Sequence, residues 1–225
     1  MFLAIRGLRM PSSKAFYLLY GPPASGKTYL ALKLQREHGF HYLSVGEITR
    51  REIASDSTEG RQLKYYLDNV LEYPPELISG VLRMEIARVP RSCKHVFLDG
   101  FPKYDREVKS FLKMLADLAI RLVAIVLLEC PLAEVLRRVS QRRMCRGCGR
   151  QCTANRNARC PHCNGDLVRR DDDEPIVLQR RYRDYTTSIA ETLEFLKACE
   201  APIVRISATE SRRMVYTLLR QRLSL

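Results

Sequence analysis

The chain has 225 residues, 46% of them hydrophobic, and a formal net charge of +13. Such a length accommodates one α/β domain or two small ones, and the apolar fraction permits a sizeable core. The longest apolar run, residues 122–128, is far shorter than the ~20 residues that a membrane-spanning helix requires. The basic excess fits a polyanionic partner, either a nucleotide, a nucleic acid or an acidic membrane surface, and does not choose among them.

The first 13 residues contain basic and apolar side chains but no acids. Arg6 and Arg9 interrupt the apolar residues, which does not fit the apolar core of a secretory signal. We expect residues 1–13 to form a disordered extension, and the alternative is a mitochondrial-type targeting segment.

A glycine-rich loop follows an apolar run, residues 16–20, that is typical of a buried strand. Gly21, four further residues and then Gly-Lys-Thr28 have the spacing of a P-loop. In such a loop, backbone N–H groups and the amino end of the next helix surround phosphate oxygens. Lys27 can reach the outer phosphates, and the Thr28 hydroxyl can hold magnesium. The alternative is an ordinary turn, but the strand before it and the helix expected over residues 29–37 favour nucleotide phosphate binding.

Strand and helix patterns alternate along the remaining chain. We predict further strands within 39–46 and over 96–98, 122–128 and 202–206. We predict helices over 47–55, 58–69, 75–87, 107–119, 176–198 and 209–223, and one opened by Pro131. This alternation predicts a parallel sheet with helices on both faces.

Acidic and basic residues follow two of these elements. Asp99 ends a predicted buried strand, and a P-loop site needs an aspartate near its magnesium at such a position. The alternative is a turn or cap residue. Arg138 and Arg142 are four residues apart and so share a helix face, where they are either solvated or placed to clamp phosphates.

Two Cys-x2-Cys pairs, eleven residues apart, lie in an arginine-rich stretch and comprise Cys145, Cys148, Cys160 and Cys163. Four thiolates in this spacing predict a closed, structural, tetrahedral zinc site. Two unrelated pairs or disulfides are the alternative, and Cys152 and His162 are spare candidate ligands. A P-loop together with metal-binding thiolates indicates a reducing, ATP-containing compartment, so we expect the cytoplasm.

Together, these motifs resemble those of nucleoside monophosphate kinases, specifically of adenylate kinases with a zinc-bearing lid. The resemblance extends from about Lys14 to the C-terminus. It rests on the P-loop, Ser44-Val-Gly-Glu-Ile-Thr-Arg50, Leu98-Asp-Gly-Phe-Pro-Lys103, Arg138-x3-Arg142-Arg143-x-Cys145, the second cysteine pair, and Arg170-Asp-Asp-Asp-x-Pro175 with Arg181 and Tyr185.

The resemblance implies a P-loop fold with a five-stranded parallel core sheet formed by residues 14–43, 74–140 and 174–225. It implies a monophosphate-binding segment at 44–73 and a small zinc lid at 141–173. The implied reaction is reversible transfer of the γ-phosphoryl group of Mg-ATP to AMP, giving two ADP. The implied cofactors are Mg²⁺, bound with ATP, and structural Zn²⁺.

The resemblance also implies residue roles. Lys27 holds the transferring phosphoryl group, and Asp99 holds magnesium through water, with Thr28 beside it. The arginines expected to converge on the phosphates are Arg138, Arg142, Arg170 and Arg181. Besides Arg138, the expected ATP contacts are Gly21, Pro22, Pro23, Ala24, Ser25, Gly26, Lys27 and Thr28. The expected monophosphate contacts are Val45, Arg50, Gly100, Lys103, Glu107, Arg170 and Arg181.

Departures from the family pattern concentrate at the monophosphate site. Lys103 replaces an arginine, Val45 replaces a threonine, and Glu107 stands where a glutamine usually reads the adenine of AMP. Thr28 also comes one residue early. We therefore expect ATP as donor and AMP as acceptor, with CMP, UMP or GMP as alternatives.

A hypothesis of another class is a degenerate kinase fold whose basic zinc lid binds RNA. The charge and the cysteine pairs motivate it, but the stretch between Arg137 and Arg170 has no aromatic residue for base stacking. We expect a monomeric enzyme that binds ATP and a monophosphate and that binds neither membrane nor nucleic acid.

Overall fold

A computed structural model of the protein describes residues 14–69, 71–154, 158–169 and 173–225. The predicted N-terminal extension and Arg170 lie outside the described residues. In chain order the elements are β1 (Ala15–Tyr20), α1 (Lys27–His38), β2 (His41–Ser44), α2 (Val45–Ala54), α3 (Thr58–Asp68), α4 (Pro75–Arg88), β3 (His95–Asp99), α5 (Asp105–Asp117), β4 (Arg121–Glu129), α6 (Leu132–Ser140), β5 (Arg142–Cys145), β6 (Gln151–Thr153), β7 (Leu167–Val168), α7 (Pro175–Leu196), β8 (Ile203–Ser207) and α8 (Arg212–Leu223).

The core is a five-stranded sheet in the order β2-β3-β1-β4-β8, with every pairing parallel. This confirms the predicted parallel sheet. Strand β1 lies between β3 and β4. From β1 the chain runs to β2 on one side of the sheet, and from β3 it crosses to β4 on the other side. In α/β sheets, ligands bind at the strand ends where the connections diverge in this way. The register pairs Leu19 with Asp99, so the P-loop and Asp99 begin side by side at the carboxyl edge.

Apolar side chains on both faces of the sheet form the core. Phe16 and Leu18 of β1 belong to one buried cluster, with residues of α2–α5 and α7. Tyr17 and Leu19 belong to a second cluster, with residues of α1, α6 and α8. Successive strand residues point to opposite faces, so a strand covered on both sides is apolar throughout. None of the described helices is both long and apolar enough to cross a bilayer.

The lid contains a small sheet that we did not predict from sequence. Strand β5 lies between β6 and β7, and both pairings are antiparallel. Its buried apolar cluster comprises Cys145, Cys160 and Leu167. Such a core is small, so apolar burial alone contributes little to the folding free energy of this unit.

Helices α2 and α3 meet at a glycine. A Cβ atom on Gly60 would lie 2.1 Å from the carbonyl oxygen of Glu52. Ser57, the residue before α3, accepts a hydrogen bond from the Gly60 N–H at 2.9 Å. The contact therefore requires a residue without a side chain.

We expect Gly60→Ala to lower the free energy of unfolding by about 1–3 kcal/mol, because the backbone of α2 blocks the new methyl group. The matched control is Gly80→Ala in α4, where a Cβ meets nothing within 4 Å. That change should stabilise the protein by about 0.5–1 kcal/mol through helix propensity. Urea denaturation measures both, and equal effects would contradict the close approach.

Candidate active site

The P-loop is shaped by close packing at its first glycine. A Cβ on Gly21 would lie 2.5 Å from Ser25 Oγ and 3.0 Å from Leu128 Cβ. At the other end, Gly26 has a φ of 100° and precedes α1. Ser25 Oγ is buried and has no hydrogen-bond partner within the described part of the chain. The loop thus places the amino end of α1 beside the carboxyl end of β1, which is the geometry of an anion site.

The ammonium group of Lys27 lies over its own loop. Nζ donates hydrogen bonds to the carbonyl oxygens of Gly21 at 2.7 Å and Pro22 at 3.2 Å. Burial lowers the pKa of Lys27, and the charge of Asp99 acts in the opposite direction. Hydrogen bonds to neutral carbonyls leave this cation without full charge compensation, so an anion would stabilise it.

Three further cations act on Lys27 from separate elements. Arg181 of α7, Lys103 after β3, and Arg142 of β5 each lower its pKa. The charges of Arg142, Arg181 and Lys103 therefore all act on the Lys27 ammonium, and the convergence of the arginines on phosphates stays a prediction. A group of cations around a P-loop favours a ligand that carries several negative charges.

Arg138 of α6 is held rigidly against the P-loop. Its Nε donates to Glu134 at 2.7 Å, and Nη1 donates to the carbonyl oxygens of Ala24 at 3.3 Å and Ser25 at 3.4 Å. Nη2 donates to the carbonyl oxygen of Ala208 after β8. Arg137 and Arg138 together lower the pKa of Glu134 to about 2, so the carboxylate stays charged. Arg138 therefore connects α6, the P-loop and the end of β8.

Arg142 forms an ion pair across the base of the lid. Its Nε donates to Asp173 Oδ2 at 2.9 Å, and Nη2 contacts the other carboxylate oxygen. The Asp173 side chain is almost fully buried, at 2% exposure. This bidentate pair connects the first strand of the lid to Asp173, two residues before α7 begins. In the sequence, Asp173 is part of the Arg170-Asp-Asp-Asp-x-Pro175 motif, and nothing local indicated this long-range partner.

The two residues predicted to hold magnesium are bridged by a third that we did not predict. Tyr42 of β2 donates a hydrogen bond from its hydroxyl to Asp99 Oδ2 at 2.9 Å. The same hydroxyl lies 3.5 Å from Thr28 Oγ1. No sequence signal identified Tyr42, because its role depends on strand register. Tyr42 lies two residues before Ser44, which pairs with Asp99 in the sheet.

The predicted monophosphate contacts lie along one side of the sheet edge. Val45 is buried, and its Cβ lies 3.6 Å from the position of a Cβ on Gly100, whose φ is 95°. Arg50 is exposed and makes no ion pair with any described residue, and its guanidinium lies 3.5 Å from the position of a Cβ on Gly46. Lys103 is also exposed. The Arg50 and Lys103 side chains are therefore accessible to a ligand, whereas Val45 is buried.

The Glu107 side chain contacts the backbone, whereas a side chain that reads a nucleotide base would be directed at a ligand. It is buried, and its Oε2 accepts hydrogen bonds from the backbone N–H groups of Lys103 at 2.5 Å and Tyr104 at 3.4 Å. Helix α5 begins at Asp105, two residues earlier than predicted, so Glu107 is its third residue. That is the position at which a glutamate caps the helix start. Burial raises the pKa of Glu107, and the backbone hydrogen bonds oppose this.

The turn that carries Lys103 is fixed at three points. Besides the Glu107 contact, the Tyr20 hydroxyl donates to the Pro102 carbonyl at 2.7 Å, and the Thr192 hydroxyl donates to the Lys103 carbonyl at 2.9 Å. The backbone of this turn is thus rigid, while the Lys103 ammonium remains available to a ligand.

The predicted cysteine ligands come together in the lid. The sulfur atoms of Cys145, Cys148, Cys160 and Cys163 all lie within 4.8 Å of one another. The shortest pairs are Cys145–Cys163 at 3.4 Å and Cys148–Cys160 at 3.7 Å. Four thiolates ~2.3 Å from a zinc ion would place their sulfurs roughly 3.8 Å apart, so this set fits the metal. Cys152 Sγ lies 3.9 Å from Cys160 Sγ, outside the predicted set.

Comparison with known proteins identifies the family. A family model described as adenylate kinase matches residues 19–201. The chain belongs to the adenylate kinase family. It is 32% identical to an adenylate kinase of Pyrococcus furiosus over 183 residues, which cover 79% of this chain and 82% of that protein. It is 32% identical to an adenylate kinase of Salinispora tropica over 197 residues, which cover 85% of this chain and 90% of that protein. It is 30% identical to an adenylate kinase of Kosmotoga olearia over 183 residues, which cover 79% of this chain and 85% of that protein.

The adenylate kinase match includes every described site residue from Gly21 to Arg181. Strand β8 and helix α8 lie beyond it, but β8 completes the sheet next to β4. Through Ala208, this region also supplies a contact of Arg138.

Glu107→Gln should give a pH-dependent gain in stability. Because the folded pKa of Glu107 is raised, ionised Glu107 destabilises the protein above that pKa, and the effect disappears below the unfolded pKa of about 4.3. Glutamine keeps an oxygen acceptor and cannot ionise. We expect the variant and the wild type to have equal free energies of unfolding near pH 4. At higher pH the free energy of unfolding of the variant should exceed that of the wild type by an amount that grows with pH and then levels off.

Urea denaturation across pH 4 to 8 measures this difference. Glu76→Gln is the matched control, since Glu76 lies exposed in the first turn of α4. The assigned role of burial would be contradicted if the gain in free energy of unfolding over the wild type rose with pH in both variants, or in neither.

Proposed function

We propose that the chain is an adenylate kinase that transfers the γ-phosphoryl group of Mg-ATP reversibly to AMP, giving two ADP. The observation that carries this proposal is the group of cations around Lys27, drawn from α7, β5 and the turn after β3. Phosphoryl transfer requires positioning and charge stabilisation more than it requires a basic or nucleophilic side chain. Separate cations on rigid elements supply both.

The proposed roles follow from where each cation is held. Lys27 binds the transferring phosphoryl group, and Arg138, fixed by Glu134, lines the ATP side. Arg142 and Arg181 stabilise the charge that spreads over the phosphoryl oxygens, for which guanidinium groups are suited by their bidentate geometry. The same role for Arg170 rests on the sequence resemblance alone.

Magnesium would be held by Thr28 directly and by Asp99 through water. A hydroxyl and a carboxylate are the oxygen donors that Mg²⁺ prefers, so the pair fits this ion. When bound with ATP, magnesium would neutralise part of the phosphate charge.

The proposed domain organisation assigns α2 and α3 to the monophosphate segment at 44–73 and β5–β7 to the lid at 141–173. A lid over the phosphates would exclude water that otherwise hydrolyses ATP. Its small core supports the proposal that zinc, held by the four cysteines, supplies much of its folding energy. Reduced thiolates and ATP suggest the cytoplasm, and we propose a monomeric enzyme.

The acceptor base is tested by an acceptor panel with ATP and Mg²⁺. We expect the purified protein to phosphorylate AMP faster than CMP, UMP or GMP, with a several-fold advantage in kcat/KM. Equal or better turnover of another monophosphate would reassign the acceptor. No transfer to any of them, combined with salt-sensitive RNA affinity, would favour the binding-module hypothesis.

Zinc is tested by metal analysis together with limited proteolysis. We expect about one zinc per chain, lost in Cys148→Ser because a thiolate ligand is missing. Without metal the lid should unfold, so trypsin should cleave rapidly at the exposed Arg146 and Arg150 while the core resists. Cys199→Ser, in the half-buried cysteine packed on the main core, is the matched control and should keep the metal. Unchanged zinc content in Cys148→Ser would refute the four-cysteine site.

A further inference from the structure

Tyr42 connects two elements that otherwise reach the magnesium position separately. Thr28 is the second residue of α1, and Asp99 is the last residue of β3. The Tyr42 hydroxyl donates to Asp99 at 2.9 Å and lies 3.5 Å from Thr28. This single phenol therefore spans the gap between the two proposed magnesium residues.

The direction of each hydrogen is determined by chemistry. A carboxylate accepts hydrogen bonds and cannot donate them, so the one hydrogen of the phenol is directed to Asp99. The phenol oxygen can then accept from the Thr28 hydroxyl. A hydrogen bond in this direction would turn the Thr28 hydrogen toward Tyr42 and its lone pairs away from Tyr42.

We propose that Tyr42 is a positioning residue that orients Thr28 and Asp99 as a magnesium-binding pair. The inference rests on the proposed function in so far as magnesium enters with ATP. One oxygen of Asp99 is occupied by the phenol, which leaves the other for magnesium-bound water. The Thr28 lone pairs remain free for the ion.

The ring and the hydroxyl of Tyr42 have separable roles. The ring is partly buried and packs against the core cluster that contains Leu30 and Phe97. Tyr42→Phe keeps the ring and removes the hydroxyl alone. Tyr17→Phe is the matched control, because Tyr17 also packs in this cluster and its hydroxyl contacts His95 Nδ1 at 3.3 Å, away from the P-loop.

The measurement is calorimetric binding of a non-hydrolysable ATP analogue, once with Mg²⁺ and once with EDTA. The ratio of the two affinities reports how well the protein uses the metal, independently of turnover. For Tyr42→Phe we expect this ratio to fall about fivefold, as expected for one lost hydrogen bond, with the metal-free affinity unchanged. Tyr17→Phe should keep both values within about twofold.

Two results would overturn the proposal: an unchanged ratio in Tyr42→Phe, or an equal loss with and without metal, which indicates a merely structural role. If Tyr42→Phe folds poorly, as judged by its thermal midpoint, Thr28→Val decides the question. That change removes the hydroxyl that Tyr42 orients, and an unchanged ratio would again exclude the role. Absent binding to the wild-type protein would overturn the proposed function as well, whereas metal-dependent binding without transfer to AMP would overturn that function alone.

Discussion

The positive charge gathered around Lys27 is the constraint on which the site depends. The Lys27 ammonium is directed at carbonyl oxygens, and burial together with three neighbouring cations lowers its pKa. Gathering like charges at a poorly hydrated position destabilises a folded protein. The arrangement becomes favourable when a polyanion binds. The parallel sheet makes this possible, because its carboxyl edge brings the P-loop and the residues after β3 to one place.

Arg138 and Arg142 are kept in place by partners within the protein. Arg138 is held by Glu134 and by three backbone carbonyls, and Arg142 is held by the buried Asp173. Such second contacts fix the orientation of a long side chain, so less conformational entropy is lost when a ligand arrives. For Arg142 the partner also lies at the opposite end of the lid, so the position of this cation and that of the lid are linked.

Features encoded by local spacing could be predicted from the sequence, whereas features that depend on register could not. The P-loop, the parallel sheet, Asp99 and the four cysteines follow from short motifs and from the order of strands and helices. Tyr42 and Asp173 act through partners 57 and 31 residues away, which no local pattern specifies. The lid sheet was missed because its strands are two to four residues long, too short to show a period-two pattern. The start of α5 was missed because Glu107 acts as a cap rather than as an interior helix residue.

At position 107 the fold alone does not determine which residue is present. The start of α5 needs an oxygen acceptor at this position, and either glutamate or glutamine provides one to the backbone of Lys103 and Tyr104. Glutamate in addition buries a carboxylate, which raises its pKa and favours glutamine for stability alone. The two residues differ in the second polar atom at the end of the side chain, which is an oxygen acceptor in glutamate and an N–H donor in glutamine. Because either residue satisfies the cap, the folding of the turn does not explain why glutamate is present at this position.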